Sequence, residues 1–144
     1  MFELNHVAEV EATADDVWRT LLDFEHYGAW TLALRIRGQA EVGGAVDYTP
    51  THRRAGRAHP LILHCFVTAV EPSRRLVWVT GLPWIMNFEF AFELEPRGPR
   101  AVVRHRARVS GLGTFLARWR MAALMSPTFE RFTDDLGRRC ARRR

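Results

Sequence analysis

The stretch "FEFAFELEPRGPRAVVRHRARVSG", residues 88–111, decides the fold. Both halves alternate between apolar and polar residues, and Arg97-Gly98-Pro99 between them carries a turn signal. The pattern predicts an antiparallel hairpin of strands over 86–95 and 101–110, folded about Gly98. With the turn there, Phe92 lies across from His105, Glu93 from Arg104 and Glu89 from Arg108. Alternate residues of a strand share one face and repeat every ~6.6 Å. Arg104, Arg106 and Arg108 therefore form a ladder whose spacing would suit successive phosphates of a nucleic acid. The register sets that ladder beside Glu89 and Glu93, in cross-strand pairs worth about 0.2–1 kcal/mol each. The ladder reads as the solvated face of a sheet. No recognised nucleic-acid motif accompanies it, so no nucleic-acid partner is expected.

The opposite face carries the candidate chemistry. Phe88, Phe90, Phe92 and Leu94 point inward with Ala101, Val103, His105, Ala107 and Val109. His105 is then an imidazole among phenylalanines, where burial lowers its pKa and favours the neutral ring. Two roles stay open for it. It is either a core histidine satisfied by a water or one neighbour, or a proton-transfer residue facing a cavity.

Upstream, residues 2–11 alternate as a first strand, with Phe2, Leu4, His6, Ala8 and Val10 on one face. Thr13 caps a helix that carries Asp15 and Asp16 in its first turn and an apolar stripe of Val17, Trp18, Leu21 and Leu22. A second short helical turn, "FEHYGAW", ends near Gly28. Further strands are predicted over 31–38, 44–50, 61–70 and 75–80, separated by Gly43-Gly44, Glu71-Pro72-Ser73 and Gly81-Leu82-Pro83. The polar segment 51–60 is either a long hairpin tip or a mobile lid. From Thr114 onward, Phe115, Trp119, Ala122, Phe129, Phe132, Leu136 and Cys140 keep helical spacing, and Ser126-Pro127 is expected to kink or restart that helix. The order predicts an α+β fold: a curved antiparallel seven-stranded sheet, two short helices after its first strand, and a long C-terminal helix covering its dry face.

Size and composition agree with this. A chain of 144 residues is expected to form one domain, 1–144, ending in an Arg-rich tail over 137–144 that is free to fray. Five Trp and nine Phe supply a core and the walls of a site for apolar ligands. All 21 cationic side chains of the Lys/Arg class are Arg, and the net charge is +5. That balance favours polyanions or acidic surfaces, but five of the last seven residues are Arg, so much of it lies in the tail. The N-terminus reads as a strand and not as a signal peptide, and no apolar run reaches the ~20 residues that span a membrane. Cys65 and Cys140 lack CxxC spacing, so a reduced, cytoplasmic setting is expected. His52, His59, His64 and Cys65 match no standard metal-ligand pattern, and His64 and Cys65 point to opposite faces; no metal is expected. The chain has no nucleophile elbow, Gly-rich phosphate loop or inward pair of carboxylates, and no cofactor is expected. Ser110 lies on the face opposite His105, which argues against a Ser–His pair.

Four stretches give the chain a family likeness: "ATADDVWRTLLDFEHYGAW" at 12–30, "VTAVEPSRRLVWV" at 67–79, "FELEPRGPRAVVRHRARVSG" at 92–111, and the long closing helix. Together they resemble the SRPBCC (START-like) superfamily with its helix-grip fold, nearest to its polyketide cyclase/dehydrase-like branch. The resemblance implies a cavity between sheet and C-terminal helix that holds a hydrophobic small molecule. The expected lining is Trp30, Tyr48, Trp78, Thr80, Phe88, Phe90, Phe92, His105, Phe115, Trp119, Met125 and Phe129. If the protein is a cyclase or dehydrase, His105 is the expected acid/base and Tyr48 the group that orients a carbonyl. Inward polar groups are few (His105, Tyr48, Thr80 and Asn87), which leaves a non-catalytic carrier or sensor of a lipid or quinone equally open. In that reading the Arg-rich tail would meet an anionic membrane, at ~1 kcal/mol per Arg near the surface.

Overall fold

The computed structural model describes residues 2–50, 62–82 and 85–142, with the side chains of 50, 82, 114–122, 124 and 142 not described. The segment 51–60, read above as a tip or lid, lies outside the described residues. Strand β1 (Phe2–Val10) leads to helix α1 (Ala14–Leu22) and a 3-10 turn (Phe24–Ala29). Six strands follow: β2 (Leu34–Gly38), β3 (Ala45–Pro50), β4 (Leu63–Glu71), β5 (Arg75–Leu82), β6 (Met86–Arg97) and β7 (Arg100–Ser110). Helix α2 (Thr114–Arg142) closes the chain. The seven strands form one antiparallel sheet in the order β1-β7-β6-β5-β4-β3-β2, curled around α2 as the helix-grip expectation required.

Local chemistry explains the elements. Thr13 Oγ1 accepts the Asp16 backbone N–H at 3.2 Å, and Asp15 and Asp16 meet the positive end of α1. Val17, Trp18 and Leu21 are the buried stripe of that helix. Arg97 pairs with Arg100, so Gly98-Pro99 is a two-residue hairpin loop, and Gly98 takes a φ of +61° at its first corner. The pairs of the predicted register are all present: Phe92 with His105, Glu93 with Arg104, Glu89 with Arg108. A bulge between Val67 and Ala69 adds a bend to β4.

Two rungs of the arginine ladder are ion-paired: Arg106 with a diagonal acid as its register suggested, and Arg108 with Glu3 in place of the Glu89 it opposes. Arg106 Nη2 stands 3.1 Å from Glu93 Oε1, a diagonal ion pair not aligned as a hydrogen bond. Arg108 turns to the other neighbour, where its Nε donates to Glu3 Oε2 of β1 at 3.4 Å. Sheet twist carries long side chains off the perpendicular, which brings diagonal partners into reach.

Two expectations change. Thr31 does not begin a strand: its hydroxyl donates to Asp135 Oδ2 on α2 at 2.8 Å, and β2 starts at Leu34. Nor does Ser126-Pro127 restart the last helix, which is continuous as helix through Pro127. The proline deprives the carbonyl of Ala123 of its partner, but Ala123 is exposed and water can take that place. Beyond it Phe129, Phe132, Leu136 and Cys140 form the buried stripe that packs α2 along β1 and α1.

Gly81, in β5, is a position where only glycine fits. Its φ is +132°, and a Cβ there would stand 2.2 Å from the Met86 carbonyl oxygen. Gly81→Ala combines backbone strain of about 1–3 kcal/mol with that overlap. The expected result is a melting temperature lower by roughly 10 °C at about 3 kcal/mol of destabilisation. A calorimetric scan that matched the parent within about 2–3 °C would overturn this reading.

Candidate functional site

Every second residue of β7 faces the concave side, and His105 is the polar one among Ala101, Val103, Ala107 and Val109, all of them buried. The β6 register puts Phe92 beside it, and the stripe of α2 lays Phe129 and Phe132 over it. The imidazole is stacked against Phe129 (centroids 3.7 Å, rings 5° from parallel) and Phe92 (4.1 Å, 21°). Phe132 meets it edge-on at 5.6 Å. His105 is 0% exposed, and among the described residues neither Nδ1 nor Nε2 has a hydrogen-bond partner. His6 takes the position across from it on β1, on the same concave face and half-buried.

Burial, and after it the nearby charge of His6, holds His105 well below the ordinary histidine range, so its ring is neutral. A neutral imidazole has one N–H donor and one bare acceptor nitrogen. Both are unused here, and a buried polar group left unpaired costs about 1–3 kcal/mol. Chemically the group can give one proton and take another without changing its charge.

The aromatic wall extends from there towards β3. Phe129 reaches Phe90 at 6.4 Å, and Phe90 stacks on Tyr48 at 5.2 Å and near Phe88 at 6.1 Å. Trp78 lies between Tyr48 (6.3 Å) and Phe92 (5.5 Å), fully buried, and its Nε1–H meets no acceptor among the described residues. Burial raises the Tyr48 phenol above the ordinary tyrosine range, so it stays a protonated donor. Tyr48 and His105 are thus not in contact: Phe90 and Phe129 stand between them.

The other expected lining residues are spread around this wall. Trp30 is half-buried against Tyr27 (5.1 Å) and Phe132 (5.3 Å). Thr80 is half-buried and its hydroxyl is taken up, donating to the His64 carbonyl at 2.7 Å. Met125 is half-buried, while the side chains of Phe115 and Trp119 are outside those described. Asn87, expected inward, is exposed on the convex face, because its odd number puts it in phase with Glu89 and not with Phe88. There it borders an open hollow of about 390 Å³ around Gly81, with Phe66, Glu89 and Arg108. His64 also points outward, its Nδ1 2.7 Å from Asp47 Oδ1, while Cys65 points in and burial lifts its thiol to about 11. His52 and His59 lie outside the described residues.

Three features escaped the sequence. His6 was placed on the right face of β1 but had no partner until β1 was seen to pair with β7. Phe132 reaches Tyr27, Trp30, Phe92 and His105 at once, which the helical period alone does not tell. Asp135, buried at 5% exposure, is held by Thr31, Arg131 and Arg138.

A family model described as polyketide cyclase/dehydrase and lipid transport matches residues 1–143. Solved structures of similar shape include the Zhui aromatase/cyclase from Streptomyces sp. R1128, at 15% identity and TM-score 0.73 over 98% of this chain and 94% of that one. A START superfamily protein from Mycobacterium smegmatis matches at 15% identity and TM-score 0.72, over 100% of both chains. A third, TTHA0849 from Thermus thermophilus, matches at 14% identity and TM-score 0.74, over 96% of this chain and 97% of that one. No curated protein sequence matches it significantly. At such identities the structures establish a shared fold. Among the described residues, no helix is long and apolar enough to cross a membrane.

Proposed function

Because this chain belongs to the polyketide cyclase/dehydrase and lipid transport family, we propose that it binds a hydrophobic small molecule between its curled sheet and α2, with His105 as the polar group that meets it. One observation carries the reading: a fully buried neutral imidazole whose two nitrogens have no partner among the described residues. A ligand oxygen reaching the ring would relieve an unpaired donor or acceptor, and the apolar remainder would replace the phenyl face of Phe129 with a like surface.

In the catalytic form of this reading, His105 takes a proton from the carbon next to a ligand carbonyl through its bare nitrogen. In a ring closure that carbon then joins a second carbonyl, and the imidazolium returns the proton to the new alkoxide. In a dehydration the imidazolium gives it to the departing hydroxyl, which leaves as water. Tyr48 donates to a carbonyl, but not at the same centre. It is four strands away, up to roughly 19 Å along the sheet at ~4.8 Å per strand. The pair suits the two ends of an elongated molecule.

The carrier form is favoured by how little polar capacity the interior offers, since the Thr80 hydroxyl is already used and Trp78 adds one donor. In it the Arg-rich C-terminus rests on an anionic membrane. Glutamate pairing of Arg106 and Arg108 supports either form over a polyanion-binding module.

Purified protein, denatured and analysed by mass spectrometry, is expected to release a bound apolar molecule. An unaltered metabolite supports the carrier, and a cyclised or dehydrated product supports the enzyme. His105→Ala should lower retention or turnover at least tenfold. Protein that releases nothing and fails to bind a fluorescent apolar probe would sink the proposal.

A further inference from the structure

Between the 3-10 turn and the last turns of α2 lies an open hollow of about 540 Å³ lined by Trp30, Thr31, Arg131, Asp135, Arg138 and Arg139. Its centre is the buried carboxylate of Asp135, whose two oxygens accept three hydrogen bonds. Oδ2 accepts from the Thr31 hydroxyl (2.8 Å) and from Arg131 Nε (3.2 Å), and Oδ1 accepts from Arg138 Nη2 (2.5 Å). The carboxylate thereby fixes two guanidiniums from the inside and leaves both with N–H groups that no described residue accepts. Arg139 adds a third guanidinium, whose Nε is buried without a partner among the described residues.

Three arginines against one aspartate leave two positive charges on one concave surface, beside the indole of Trp30. A guanidinium offers up to five donors in a planar fork that matches tetrahedral oxyanions, and low-dielectric walls strengthen the attraction. A helix staple needs no more than one arginine for one carboxylate, so the second and third cations are unexplained by stability alone.

We propose that this hollow binds the phosphate group of a phosphomonoester, with Arg131, Arg138 and Arg139 as its donors, Asp135 as the residue that positions two of them, and Trp30 as a wall for the organic part. The site is separate from the His105 cluster, since the ring of Phe132, fully buried, stands between Trp30 and His105. Its ligand is either a free phosphomonoester or the headgroup of a phosphatidic-acid-type lipid, which share that chemistry.

The test uses the full chain and inorganic phosphate at constant ionic strength, read by tryptophan fluorescence and thermal melting. Binding should saturate and raise the melting temperature. Arg139→Gln should weaken it at least tenfold while melting like the parent without phosphate, because no described residue pairs with its guanidinium. Arg131→Gln is the second variant and should weaken binding likewise. Phenyl phosphate and phosphatidylcholine vesicles with and without phosphatidic acid separate the two sources: binding of the former alone indicates a free ligand, and of the latter alone a headgroup. In either case the effect must depend on Arg139. If Arg139→Gln responds as the parent does to all three probes, or phosphate does no more than chloride, the proposal is wrong, whether or not a ligand meets His105.

Discussion

Phe132→Ala should cost about 3–5 kcal/mol, the range for emptying a fully buried phenylalanine site, and lower the melting temperature by roughly 10–15 °C. The ring is 0% exposed and is the meeting point of the interior, within 5.3–5.6 Å of Tyr27, Trp30, Phe92 and His105. It also joins α2 to both the 3-10 turn and the sheet, so the void cannot collapse without moving three elements. A dry void of this kind accepts small apolar molecules. Benzene or indole at millimolar concentration should therefore recover part of the lost stability in the variant and none in the parent. A loss below about 1.5 kcal/mol in chemical denaturation would mean that the interior repacks, and the rigid aromatic wall described above would have to be given up.

The second large effect is a dependence on acid. In the unfolded chain His105 titrates near the ordinary ~6.5, whereas in the folded protein burial holds it well below. Above ~6.5 neither state binds the proton and the group adds no slope. Below it the unfolded chain takes up a proton that the folded one refuses, so stability falls with pH by about 1.4 kcal/mol per unit from this residue. The fall ends only where the folded ring itself becomes protonated. His105→Leu removes two unpaired nitrogens and keeps an apolar group of similar size. It should be as stable as the parent or more so at about pH 7.5, and its denaturation midpoint should decline less steeply between roughly pH 6.5 and 5. If both proteins lose stability in parallel over that range, the buried histidine is not the acid-sensitive group.

The β6–β7 hairpin was legible because a two-residue turn at Gly98-Pro99 leaves the pairing no freedom. Once Arg97 meets Arg100, every residue of β7 has its partner and its face, and His105 follows. The same alternation already put Asn87 outward. Counting it among inward groups went against the parity of its own strand. Long-range partners are another matter. Nothing in residues 2–10 specifies β7 as their neighbour, so the pair of His6 and His105 was hidden although each was on the correct face. Helical spacing likewise tells which residues of α2 share a stripe, but not the rotation that sets Phe129 on His105, nor that Thr31 would leave its strand for Asp135. The candidate site was therefore readable as a strand face but not as an aromatic cluster, because the rings of α2 that close over it are placed by tertiary packing.

The pairing of β1 with β7 also sets an order of assembly. Strands β2 to β7 form an unbroken meander in which each joins the one made just before it. Phe2, in contrast, pairs with Val109. The first strand to leave the ribosome must wait for the last, and such long loop closures are the slow ones. Until then the edge of β7 is bare and His105 has only one flanking strand. The nascent protein thus has most of its sheet before it has its interior, and the surroundings of His105 are among the last parts of the molecule to be built.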